Sequence, residues 1–218
     1  MNLWNTRNQS LSALENSLRQ EAQVIEEAFA LIDECINRFQ QISATSQFSR
    51  VCGLTLIKAR NLALGCYSLC LDGLAQEAGA ILRPLLETTE LLAYFREGPS
   101  RVELAIDGKL PPAGKIAKTI ESDFKDLRDY FNRHASHFGF SFESLRHVVN
   151  FRDFSWITAQ SYDEHVLRTN LGTVFAFLVS VAFEGANCLS VAGSLDNNFA
   201  DRIEHLRNKG LNIFQVGN

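Results

Sequence analysis

Apolar residues recur every three or four positions from Leu11 through Leu14, Leu18, Ala22, Ile25, Phe29, Ile32, Ile36 and Phe39. That step keeps them on one face of a helix. The opposite side is Glu, Gln, Arg and Asn, so the pattern predicts one long amphipathic helix with Ser10 as its N-cap. A polar break, "SATSQ", ends it. A second helical run extends from Ser49 to Phe95, punctuated only by glycines and Pro84. The proline lacks a backbone N–H and crowds the carbonyl four residues back, which predicts a kink. "REGPS" closes this run. A third helix starts near Lys115, carries Ile116, Ile120, Phe124, Leu127 and Phe131 inward, and ends about Phe138–Gly139. The aromatic stretch "FSFESLRHVVNFRDFSWITAQ" reads as a short helix and a loop. The last long helix covers Asp163 to Ala192, and "DNNFADRIEHLRNKG" adds a short one closed by Gly210. No segment alternates convincingly with the period of a strand. The expected fold is all-α: an up-and-down bundle of four long helices with short accessory helices, in one domain over residues 1–218.

Composition narrows the function classes. The chain of 218 residues is 46% hydrophobic and 21% charged. That balance is globular and not disordered. The net charge is −4. Most nucleic-acid binders have a basic balance, so any such contact here must be local. The most apolar run, Leu171 to Phe183, is too short to span a bilayer and reads as a core helix. The N-terminus shows no apolar leader segment, so no signal peptide is expected. Five cysteines without a CxxC motif read as reduced and buried, in a cytoplasmic protein. No cofactor and no membrane contact are expected.

Charge within an apolar run marks one candidate site. In "ILRPLLETTELL", Arg83 and Glu87 lie four apart beside Pro84. At about 100° per residue, Leu74, Ala78, Ile81, Leu85 and Leu92 form the core stripe, with Asp72, Gln76, Arg83, Glu87 and Glu90 roughly opposite. A polar stripe opposite an apolar one is ordinarily a solvated face. Against that, Arg before Glu is the weaker order for helix support. A second candidate is "LRDYFNRHASHFGF". His134 shares the apolar stripe of Leu127 and Phe131 and so faces inward or into a cleft. His137 lies one turn on. An imidazole titrates near neutrality and serves as acid, base or ligand. As a zinc pair, the two histidines lack a third and fourth ligand.

Two segments carry a resemblance. "EAGAILRPLLETTELLAYF", followed some forty residues later by "YFNRHASHFG", resembles an uncharacterised bacterial family related to the HEPN helical domains. The likeness covers Lys58 to Phe140, within a HEPN-like core of about residues 49–193. Arg83, Glu87 and His137 match the family's polar positions, and Pro84 replaces its usual serine. Many HEPN domains are metal-independent ribonucleases with an R-x4-6-H motif, which "RDYFNRH", Arg128 to His134, fits, with Asp129 after the arginine. The resemblance implies that a histidine moves the 2′-hydroxyl proton while Arg128 steadies the phosphate. Such sites in the family are often completed across a two-fold dimer, and the aromatic-rich segment after the third helix adds more apolar surface than one small core needs, so a homodimer is expected. Catalytic candidates are therefore Arg128, His134 and His137, and binding candidates are Arg83, Glu87 and Asp129. Residues 121–152 hold five basic and five acidic side chains. That is no electrostatic funnel for RNA. Two expectations stand. One is a HEPN-like, RNA-directed domain, such as a ribonuclease of a toxin or defence system. The other is a non-catalytic dimeric bundle that binds a small ligand or a protein partner.

Overall fold

A computed structural model describes residues 4–135, 140–145 and 147–215. The described residues are helical apart from turns, loops and a single antiparallel bridge between Val149 and Trp156. The all-α expectation holds.

Helices α1 (Asn5–Glu15) and α2 (Arg19–Ile42) replace the single first helix. Ser10 is not a cap: it lies buried inside α1. The chain breaks at 16–18, and the bidentate pair of Arg7 with Asp72, at 2.6 Å to each carboxylate oxygen, ties α1 to the end of α3. The second run also divides, into α3 (Gln47–Leu71) and α4 (Ala75–Glu97). Gly73 makes the reversal with φ of 75°. Glycine adopts that left-handed conformation without a Cβ penalty. Ser46 caps α3 through the Ser49 amide. Pro84 sits inside α4, and Thr88 Oγ1 donates to its carbonyl at 2.6 Å.

A long crossover follows: a 3-10 turn at Pro99–Arg101, then α5 (Val102–Ile106), α6 (Ala113–Thr119), α7 (Lys125–His134) and α8 (Phe142–Leu145). The expected third helix is thus two pieces, divided at 120–124 where Glu121 has φ of 49°. Helix α9 (Glu164–Val191) opens on Asp163, whose carboxylate accepts from the Val166 amide at 3.0 Å. Helix α10 (Asn197–Gln215) is longer than expected and runs straight through Gly210. That glycine is a packing contact and not a terminator: a Cβ there would lie 2.1 Å from the Phe175 ring.

Helices α2, α3, α4 and α9 enclose the core. Short turns make α2, α3 and α4 alternate in direction. The crossover then sets α9 in the same sense as α2, as the contacts Glu21–Arg168 and Cys35–Gly185 show, and α10 turns back along both. By length and composition α9 could cross a membrane, but Leu171, Val174, Leu178, Val181 and Ala182 are buried against the other helices. All five cysteines are free and buried. Burial raises the Cys66 and Cys70 thiols to about 12.

Candidate functional site

Helix α4 is buried on more than half of its circumference. Leu85 and Leu92 face the bundle, while Leu86, Glu90 and Ala93 face the crossover. Glu90, which the helical wheel sets on the wet face, is therefore only 3% exposed. It is compensated. Arg128 Nη1, from α7, donates to both carboxylate oxygens at 2.6 and 2.7 Å, and Ser122 Oγ donates to Oε1. The Arg128 side chain is itself only 14% exposed. Its guanidinium binds α7 to α4, and charge-assisted hydrogen bonds of this kind are the strong ones.

Arg83 and Glu87 do pair, Nε to Oε1 at 3.1 Å, but their side chains are 34% and 27% exposed. They are partly buried, and neither lines the cleft described below. Asp129 is exposed; its carbonyl accepts from Arg133 Nε at 3.2 Å. His137 lies outside the described residues.

His134 does face a cleft. The crossover packs against the N-terminal halves of α4 and α9 and leaves an opening of about 960 Å³ between them. From α7 come Tyr130, Phe131 and His134; from α4, Gln76, Gly79 and Leu82. Helix α9 adds His165, Asn170, Thr173, Ala176 and Phe177, and Phe214 of α10 closes one end. Two contacts keep the walls apart and aligned: Gln76 Nε2 donates to the His134 carbonyl at 2.8 Å, and the Phe131 and Phe177 rings meet at 6.3 Å. The His134 ring leans on Tyr130 at 4.9 Å, with Nδ1 3.5 Å from Ser141 Oγ. His147 also lines the cleft, so the opening is bordered by imidazoles from three segments.

Thirteen of the described lining residues are apolar or glycine and ten are polar or charged, besides Tyr130, so the cleft is more polar than most small-molecule sites. One polar group is unsatisfied: Asn170 Nδ2 is buried without a hydrogen-bond partner among the described residues. Among the described residues no group of histidine, cysteine and carboxylate side chains is placed to hold a metal ion. Sequence reasoning found His134 and missed the α9 wall. The signal was "TNLGT", Thr169 to Thr173, a small and polar patch within an otherwise apolar helix.

Comparisons with family models, curated proteins and solved structures gave no match to this chain.

Proposed function

We propose that this protein is a non-catalytic helical bundle that binds a small molecule in the cleft between α4, α7 and α9. The observation that carries this reading is the engagement of Arg128 by buried Glu90. A guanidinium that steadies a reacting phosphate must be able to reach it, and this one is neutralised and enclosed. His134 then stands in the cleft without its motif partner, as a wall residue with one polar edge.

The HEPN-like, RNA-directed reading keeps one observation in its favour. His134 is half-buried beside an aromatic ring and near a hydroxyl, a setting an acid–base imidazole could use. For that reading to hold, Arg128 would have to leave Glu90, or another cation would have to take its place.

A thermal-shift screen of small molecules against the parent and Ala176→Trp tests the binding reading. Ala176 is exposed on the cleft wall, so a tryptophan there fills the space without entering the core. Compounds that stabilise the parent and not the variant support the reading. Equal effects on both place the site elsewhere.

The aromatic segment after α7 is the surface on which two copies would meet. Phe140, Phe154 and Trp156 are 83%, 73% and 82% exposed. Exposed apolar patches of this kind commonly mark interfaces. Light scattering should give twice the chain mass, and should return to the monomer in Trp156→Glu.

A further inference from the structure

Helix α3 is apolar on two sides. One side is core: Cys52, Leu56, Ala59, Ala63 and Cys66 are fully buried. On the other side Leu54, Ile57 and Leu64 are 61%, 40% and 45% exposed. A helix that is apolar all round is normally covered all round. The flanking helices supply the comparison. Neither α2 nor α4 exposes a large hydrophobic side chain, although both also face solvent. Single exposed leucines are ordinary, but three in one line between two wet neighbours are not a scatter. None of the three lines the cleft, so this face stands apart from the binding reading above.

Spacing says what shape of partner fits. Leu54, Ile57, Asn61 and Leu64 step by three, four and three, the spacing of a coiled-coil seam. Asn61 is exposed as well. From Leu54 to Leu64 the seam is about 15 Å of helix, so a partner helix of about three turns covers it.

Charge narrows the partner further. Helix α3 has no Asp or Glu, in a chain whose net charge is −4. Of its three cations, Arg60 is held by both oxygens of Asp33, at 2.5 and 3.1 Å. Arg50 and Lys58 are left, four residues either side of Leu54, which sets one on each flank of the seam. Both are exposed, and neither has an ion pair among the described residues. The Arg50 guanidinium donates to the Ser43 carbonyl at 3.2 Å. Acids on the neighbouring helices do not offset this charge. Glu87 of α4 pairs with Arg83, and Glu26 of α2 lies by Tyr67, past the end of the seam.

We propose that this face of α3 docks an acidic amphipathic helix of another protein. Its apolar residues, at three- and four-residue spacing, lie against Leu54, Ile57 and Leu64, and its flanking carboxylates meet Arg50 and Lys58. A polar residue opposite Asn61 sets the register, as a single Asn does in coiled coils. Complementary charge of this kind sets partner choice. A second copy of α3 fits worse, since it brings further cations and no acid.

Fluorescence anisotropy with two labelled peptides tests this on the intact chain. Both peptides have three heptads, Leu at the seam positions and one central Asn. One carries Glu at the flanking positions and the other Lys, and like charge keeps each from pairing with itself. The Glu peptide is expected to bind with a dissociation constant of about 10–100 µM, as suits a small interface, and at least about tenfold more tightly than the Lys peptide. Leu54→Gln with Leu64→Gln should weaken it at least about tenfold, with helicity and melting unchanged because both side chains are exposed. Arg50→Glu with Lys58→Glu should reverse the preference between the peptides. No binding of the Glu peptide at about 1 mM, equal binding of the two peptides, or full binding by the glutamine variant overturns the proposal. So does another occupant. Self-association of the Trp156→Glu chain that the glutamine changes abolish would give the face to a second copy. Pelleting with phosphatidylserine vesicles that the same changes abolish would give it to a lipid surface.

Discussion

Arg128→Ala is the perturbation with the largest expected effect on stability. It removes the two charge-assisted hydrogen bonds from a carboxylate that is 3% exposed, and leaves Ser122 as the remaining donor. Taking one partner from a buried ion pair costs about 3–5 kcal/mol, because the other charge stays buried and uncompensated. For a chain of this size that is a fall in melting temperature of about 6–20 °C. Glu90→Gln should cost less, since the freed guanidinium sits nearer the surface. The double variant Glu90→Leu with Arg128→Met should regain most of the loss, because apolar groups of similar volume often replace a buried pair without penalty. Urea unfolding followed by the helical circular dichroism signal measures all four proteins, with an unchanged slope required for comparison. Arg128→Ala within about 1 kcal/mol of the parent would mean that the pair behaves as a surface salt bridge, and would refute the clamp. The expectation from the ribonuclease motif alone is the opposite, an arginine whose loss leaves stability nearly intact.

The other expectations are smaller. The Arg83–Glu87 pair is partly solvated. Glu87→Ala and Glu87→Gln should each move stability by about 0–1 kcal/mol, and a larger loss by urea unfolding would place the pair in a closed site. In Gly210→Ala the added methyl meets the buried Phe175 ring. That overpacking should destabilise by about 1–3 kcal/mol, read by the same unfolding. The acid limb of the stability profile should flatten in Glu34→Gln. Burial pushes the Glu34 carboxyl up, but hydrogen bonds from Arg38 and Arg202 outweigh it and hold the group below its ordinary value. Its contribution is thus present above the ordinary carboxylate pKa and lost as pH falls through the depressed one. Glu184 has the opposite sign. Burial raises it against the pull of Arg96. Its contribution is therefore present at low pH and fades as pH rises through the raised value.

Helix type and the main core faces were legible because periodicity survives wherever one side of a helix is wet. Helix α2 is such a case: of the expected stripe Ile25, Ile32 and Phe39 are buried and Ala22, Phe29 and Ile36 partly so, while Val24, Ala28 and Cys35 also turn inward. Chain reversals were harder to see. Leu71, Gly73 and Leu74 continue the apolar rhythm, and nothing but the glycine's left-handed φ separates α3 from α4. Gly210 misled in the other direction, since a glycine needed for close approach looks the same in sequence as one that ends a helix. The helical wheel failed at Glu90 for a specific reason. It assumes one dry face, and α4 has two, one against the bundle and one against the crossover. The carboxylate's partners, Ser122 and Arg128, are 32 and 38 residues away, beyond any local pattern. His134 was legible because it continues the stripe of Leu127 and Phe131. The α9 wall opposite was not, because its small and polar residues matter only once the crossover folds over them.

Arg128 as clamp and His134 as cleft wall make up the central claim, and RNA turnover tests it most directly. Purified parent protein would be incubated with fluorescently labelled single-stranded RNA, with a chelator present, alongside His134→Ala and Ala176→Trp. The expected result is no cleavage by the parent above the level of His134→Ala. Chelator-resistant cleavage that is present in the parent and in Ala176→Trp but lost in His134→Ala would contradict the account and make this histidine catalytic.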